Sequence, residues 1–211
     1  MITDLKMSNT TGVDGVSNAM ISAIWAVDLF LEAAKYGIHH VYMNVDTINT
    51  MESPFGPAPD YTPQPMYYAM LLMSIIQQDS NPRFLTPNVV SAGSASIKVH
   101  AILSGDIVSL VLINKDINTN ATGTVFVNST NHDPIRCLYL TGTSLSSKTV
   151  SLAGYTFAAG NATPQGNFSE VSFPNQNGNG YNINLAHAEI AYCRMLTPSL
   201  SIPTRVSLLL W

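Results

Sequence analysis

Charge is scarce in this chain, with Asp, Glu, Lys and Arg together making up 10% of its 211 residues, against about 25% in an ordinary globular domain. The thirteen acidic and nine basic side chains leave a net charge of -4. No broad positive field can then form, which excludes nucleic acid and anionic membrane surfaces as leading partners. A membrane-spanning helix needs ~20 consecutive apolar residues, and the best run, residues 19–34, is interrupted by Asp28 and Glu32. The start, Met1 to Lys6, also lacks the apolar core of a secretory signal. Cysteine is limited to Cys137 and Cys193. Neither the count nor the spacing points to zinc, and no metal or other cofactor is expected. The pair is either a disulfide or two buried thiols.

What is abundant is uncharged polarity. Hydrophobic residues reach 46%, enough for a core, and the surface must be wetted by Asn, Ser and Thr, which suits an extracellular or glycosylated protein. Five N-glycosylation acceptor patterns occur, at Asn9, Asn120, Asn128, Asn161 and Asn167. A signal upstream of Met1 would reconcile them with the bare start, so the chain is expected to be part of a longer protein; the alternative is a cytosolic protein with fortuitous sequons.

Helical spacing of Met20, Ile24, Val27, Leu31 and Ala34 predicts a helix over 18–36, with Ser17 as N-cap and Gly37 as stop. The run 38–44 then reads as a strand, and helix-to-strand through one glycine is half of a βαβ repeat. Five prolines between residues 54 and 65 demand a long stiff loop. Long loops after parallel strands are where α/β barrels keep their sites. Met66, Tyr67, Met70, Leu71 and Ile75 mark a second helix over 66–78, with Pro65 at its first turn.

From Arg83 onward short apolar or alternating runs bounded by Gly, Asn, Asp or Pro describe antiparallel strands of a sandwich. They lie at 96–103, 107–113, 122–127 and 135–140, and Ser104-Gly105-Asp106 is a hairpin turn between the first two. Residues 164–181 read as a polar insertion and 183–193 as the closing strand. Residues 197–211 are an edge strand, a peripheral tail or an aberrant addition.

The segment Gly15 to Asp28, Gly37-Ile38-His39-His40-Val41, Ser53-Pro54-Phe55 and Gln64 to Leu72 resembles the end of the barrel in glycoside hydrolase family 79, the β-glucuronidase and heparanase-like enzymes. The resemblance runs through the β-domain, where Leu110 to Lys115 is similar to the family's typical strand, and spans residues 7–196. It implies an α+β chain: a fragment of a TIM-type (β/α)8 barrel over 1–82, a C-terminal β-sandwich over 83–196, and a tail over 197–211. The implied partner is a glucuronide-type glycan, and the implied location is extracellular, lysosomal or vacuolar.

The family's retaining hydrolysis needs two glutamates on barrel strands, their carboxyls about 5 Å apart, one to attack the anomeric carbon and one to protonate the leaving oxygen. The acid/base strand would lie upstream of Met1. The nucleophile would fall in 2–7, where the carboxylate is Asp4, one methylene shorter than Glu. No catalytic residue is therefore assigned, and the isolated chain is expected to be inactive. Just before Ser-Pro the family tends to place a Tyr that holds the sugar acid; here stands Glu52, which would repel a glucuronate.

Tyr61 in the proline-rich loop is the candidate substrate contact. Trp25, mid-helix, reads as core, Glu32 as solvated, and His39 and His40 as packing or surface residues, since neighbours on a strand face opposite ways and cannot share a metal. Two rivals remain: a non-catalytic carbohydrate-binding or structural sandwich module, and one chain of a two-chain glycosidase whose N-terminal barrel is supplied separately.

Overall fold

The computed structural model describes residues 1–5, 7, 11–43, 51–78, 81–91, 96–127, 133–176, 180–197 and 206–210. In chain order the elements are β1 (Ile2–Leu5), α1 (Met20–Lys35), β2 (Val41–Met43), α2 (Pro65–Ile76), β3 (Arg83–Leu85), β4 (Pro87–Ser91), β5 (Ile97–Ser104), β6 (Ile107–Asn114), β7 (Ala121–Val127) and β8 (Ile135–Gly142), followed by β9 (Val150–Leu152), β10 (Tyr155–Phe157), β11 (Pro164–Gly166), β12 (Val171–Phe173), β13 (Gly180–Leu185), β14 (Glu189–Leu196) and β15 (Val206–Leu210). Among the described residues two helices are thus set amid mostly antiparallel strands. The chain clusters into two units, 1–75 with 140–169, and 76–139 with 170–211.

In the first unit β1 and β2 pair in parallel, Ile2 opposite Val41. Met20, Ala23, Ile24, Val27 and Leu31 of α1 are buried, as their spacing requires. Its N-terminus is capped differently from the expectation. The N-cap position is Ala19, with no side-chain cap, and Ser17 Oγ instead accepts the N–H of Val13 at 3.0 Å. The orphan N–H groups of Met20 and Ile21 are satisfied by the carbonyls of Ser147 (2.8 Å) and Leu145 (2.9 Å), on the turn between β8 and β9. At the other end Gly37, at φ +73°, closes the helix with its N–H on Ala34 O.

Helix α2 buries Met66, Tyr68, Ala69, Leu72, Met73 and Ile76, while Met70 is exposed. This stripe is rotated by about one position from the expected one. Eleven of the twelve residues Pro65–Ile76 are apolar or aromatic, so periodicity alone cannot choose a face. The choice falls where Tyr68 can bury its ring and still find a partner, the N–H of Phe157 on β10 at 3.0 Å. Phe55, Tyr67, Tyr68 and Phe157 form an aromatic cluster with centroids 5.2–5.9 Å apart.

The second unit is a sandwich. One sheet contains β3, β5, β6 and β14 in spatial order with the first residues of β8, to which β12 pairs; the other runs β13-β7-β15-β4. Alternate residues of both sheets meet in one core: Ala101 and Leu103, Val108, Leu110 and Leu112, Ala191, Cys193 and Met195 from one side, Val125, Tyr181, Ile183 and Leu185 from the other. The β5–β6 hairpin turns at Gly105-Asp106 with Ser104 opposite Ile107. Cys137 and Cys193 are joined by a disulfide within this core.

Two readings of the C-terminal third change. The single closing strand over 183–193 is two strands, β13 and β14, which belong to different sheets. They part at residues 186–188, where Ala188 takes φ +54° and Glu189 Oε2 accepts the N–H of Ala186 at 2.8 Å. Residues 206–210 form β15, which lies inside the second sheet, parallel to β4 and antiparallel to β7. The insertion over 164–181 contains β11 and β12.

Candidate functional site

The first unit presents a structured loop between β2 and α2. Its stem is pinned by Gly56 N–H on Thr62 O (2.7 Å) and Gln64 N–H on Pro54 O (2.9 Å), with Phe55 bridged to Pro63. Gln64, with its amide nitrogen turned inward, also donates to the carbonyls of Ser53 (3.0 Å) and Met51 (3.2 Å). Residues 57–62 form the exposed tip. Proline fixes φ and removes donors, so this loop needs few hydrogen bonds to hold one shape.

Against the tip lies a cavity of about 280 Å³, lined by Gly56, Asp60, Thr62, Gln64, Asn18 and Lys148 among others. Lys148 Nζ donates to Asp14 Oδ1 at 2.6 Å, and Asn18 Nδ2 donates to the same oxygen at 2.9 Å. The hydrogen bond from Lys148, with that from Asn18, holds the Asp14 carboxyl below its usual pKa. Asp60 is the one acidic side chain among the described residues lining the cavity. Such a site can exchange hydrogen bonds with hydroxyl groups, but one carboxylate cannot serve both as nucleophile and as acid.

Tyr61 stands at the tip, 47% exposed, with φ +42° and its N–H on Pro57 O at 3.2 Å. Its ring is open to solvent, as a sugar-stacking residue requires. Glu52 is placed otherwise. It is 7% exposed, and its Oε1 has no hydrogen-bond partner among the described residues. Thr11 and Gly12 pass over it: Met51 N–H bonds Thr11 O at 2.9 Å, and a Cβ on Gly12 would fall 3.1 Å from Glu52 Cγ. Gly12, at φ +93°, is what allows that approach.

Asp4 lies on β1, and its side chain is outside the described residues. Trp25 is half-buried, Glu32 is half-buried rather than solvated, and His39 and His40 are exposed. Of the sequon asparagines, Asn120, Asn161 and Asn167 are exposed; Asn9 and Asn128 lie outside the described residues. Residue types alone did not reveal the burial of Glu52 or the joining of Asn18 and Lys148 to the loop. The glycine at position 12 and the Asp14–Asn18 spacing of four were local signals that could have pointed there.

No protein-family model matches this sequence, and no curated protein matches it. Solved structures do. The chain is similar to a 4-O-α-L-rhamnosyl-β-D-glucuronidase from Fusarium oxysporum 12S, with a TM-score of 0.70 at 18% identity over 88% of this chain and 41% of that one. It is also similar to a GH51 arabinofuranosidase from Xanthomonas axonopodis pv. citri (TM-score 0.57, 17% identity, 90% and 38% covered). A glycoside hydrolase family 30 subfamily 8 xylanase from Clostridium acetobutylicum matches with a TM-score of 0.55 at 13% identity, 92% and 41% covered. The chain spans about two fifths of the length of these enzymes. Its two helices and mostly antiparallel sheets therefore have the fold of part of a glycoside hydrolase.

Proposed function

We propose that this chain is the C-terminal region of a β-glucuronidase-like glycoside hydrolase of family 79, and that carbohydrate meets it at the 51–65 loop, with Tyr61 as the stacking residue. The observation that carries the reading is the likeness to the rhamnosyl-glucuronidase over 88% of this chain. The residues resembling family 79 supply the finer assignment. In this reading residues 1–82 are the last units of the barrel, 83–196 the sandwich, and the 211 residues alone hydrolyse nothing. Two matched carboxyls on opposite sides of the bond are required, and the loop cavity offers Asp60 alone among the described residues.

Glu52 supports a parent enzyme that does not hold its sugar through a uronate carboxylate. Glu52 stands where the family tends to place the Tyr that holds the sugar acid, so that hydroxyl contact is missing. The exposed sequon asparagines Asn120, Asn161 and Asn167 support export and glycosylation.

The test is release of an aryl glycoside, as β-glucuronide and as neutral β-xyloside, by the chain alone and after mixing with an N-terminal barrel chain of a family relative. The chain alone gives no turnover and the mixture does, with a raised KM in Tyr61→Ala. Turnover by the chain alone overturns the reading. Glycan binding with no turnover in any mixture replaces it with a non-catalytic module.

A further inference from the structure

A second concavity, about 460 Å³, opens on the sandwich unit, within the ~300–1,000 Å³ span of small-ligand sites. Its polar groups are Arg136, Arg194, Glu170 and Asp133, and its apolar wall is Ile107, Pro134 and Leu196. None of them belongs to the loop described above.

These residues are held in place from behind. Arg136 and Arg194 each adjoin a cysteine of the Cys137–Cys193 disulfide. Alternation along the strands turns the cysteines into the core and leaves both arginines exposed. Ile107 and Leu196 are a cross-strand pair, and the next residue, Thr197, is anchored through Oγ1 on Asp106 O at 2.9 Å. The Asp133 carbonyl accepts the phenol of Tyr181 at 3.0 Å. Arg136 Nη1 donates to Glu170 Oε2 at 3.0 Å, which orients the guanidinium and the carboxylate side by side.

The charges decide the ligand class. Two arginines and two acidic residues line the same cleft, with Arg136 and Glu170 paired, so an anion would meet Glu170 and Asp133 and a cation would meet the arginines. Neither is favoured. Planar donors and acceptors set side by side instead match neighbouring hydroxyls, which give and take a hydrogen bond at once. Leu196, 60% exposed beside Ile107, offers an apolar strip for the C–H face of a sugar ring.

We propose that this cleft binds a neutral, hydroxyl-rich glycan. It rests on the carbohydrate reading above for its ligand class, and adds a second point of attachment, on the sandwich. The experiment titrates the full, disulfide-intact chain with xylohexaose, following the arginine Nε–H and backbone resonances, with a galacturonate hexamer as the acidic comparator. Saturable shifts are expected at Arg136, Arg194 and Leu196. Arg136→Met and the near-isosteric Glu170→Gln should each weaken binding about tenfold through loss of a charge-assisted hydrogen bond; Glu170→Gln keeps the test open if Arg136→Met fails to fold.

No shifts at these residues with millimolar xylohexaose, shifts untouched by both variants, or tighter binding of the acidic hexamer would each overturn the proposal. Its failure is separable from that of the enzyme reading. Turnover in the two-chain mixture that persists in Glu170→Gln, with no cleft shifts, removes the cleft alone. Cleft binding with no turnover in any mixture removes the enzyme reading alone.

Discussion

The phenol oxygen of Tyr68 accepts the backbone N–H of Phe157 at 3.0 Å, and the two rings meet edge to face with centroids 5.3 Å apart. One residue thus settles which face of α2 is buried and gives a partner to a donor on β10. Burial raises the phenol's pKa, although the bond from Phe157 opposes the shift.

Tyr68→Phe keeps the ring and removes the acceptor, leaving the Phe157 N–H without its partner. The expected loss is about 1–3 kcal/mol of unfolding free energy, read as a lower urea midpoint with an unchanged slope. A shift too small to measure would show that water replaces the phenol.

Gly154 lies at φ +81°, and a Cβ built there would overlap the backbone carbonyl oxygen of Asn167. Gly154→Ala should cost about 2 kcal/mol or more, because left-handed strain adds to a clash with backbone. Gly15→Ala is the control: Gly15 has φ +74° but, among the described residues, nothing within 4 Å of its would-be Cβ, so only the left-handed conformational cost of about 1 kcal/mol applies. Equal Tm losses in the two variants would refute the steric part.

The same contrast marks what was legible in the sequence. The presence of both helices, the Gly105 hairpin and the runs that form β5 and β6 follow from patterns within a few residues, and they stand where the patterns put them. Contacts between residues far apart in the chain left no local trace. The cap of α1 comes from Leu145 and Ser147, β15 enters between β7 and β4, and Arg136 meets Glu170 thirty-four residues on. Ala188, at φ +54°, makes a turn where no glycine announces one. In the candidate site Tyr61 was visible as an aromatic in a proline-rich loop. The burial of Glu52 was not, since it depends on the passage of Thr11 and Gly12 overhead.

The disulfide closes a span of 56 residues. Chain-entropy reasoning gives about 4 kcal/mol for a loop of that length, so Cys137→Ala with Cys193→Ala should lower unfolding free energy by that order. Reduction by dithiothreitol should do the same to the native chain and nothing to the double variant. If cleft geometry depends on this tie, xylohexaose binding falls with it. A double variant of unchanged stability would show that the core alone aligns β8 and β14.

Glu189 sits at the turn where β13 gives way to β14, with its Oε2 on the N–H of Ala186 at 2.8 Å, while His187 bonds Asn120 Oδ1 through its N–H at 2.9 Å and through its ring Nδ1 at 3.0 Å. Burial raises the carboxyl's pKa, and the Ala186 bond and the charge of His187 only partly offset it. The folded chain then holds this proton more tightly than the unfolded chain does. Stability from this group is therefore fully present below the usual glutamate pKa of about 4 and is lost as pH rises through the raised value. Glu189→Gln keeps an oxygen for Ala186 and removes the titration. Its urea midpoint, compared with that of the native chain, should gain steadily from acid pH towards neutral and then run parallel. The neighbouring Tyr139 phenol, raised by its own burial and secondarily by the charge of Glu189, should ionise at a lower pH in that variant. A native chain that gained on the variant as pH rose would mean that the carboxylate is the favoured form in the fold, and the turn would then be held by its charge rather than in spite of it.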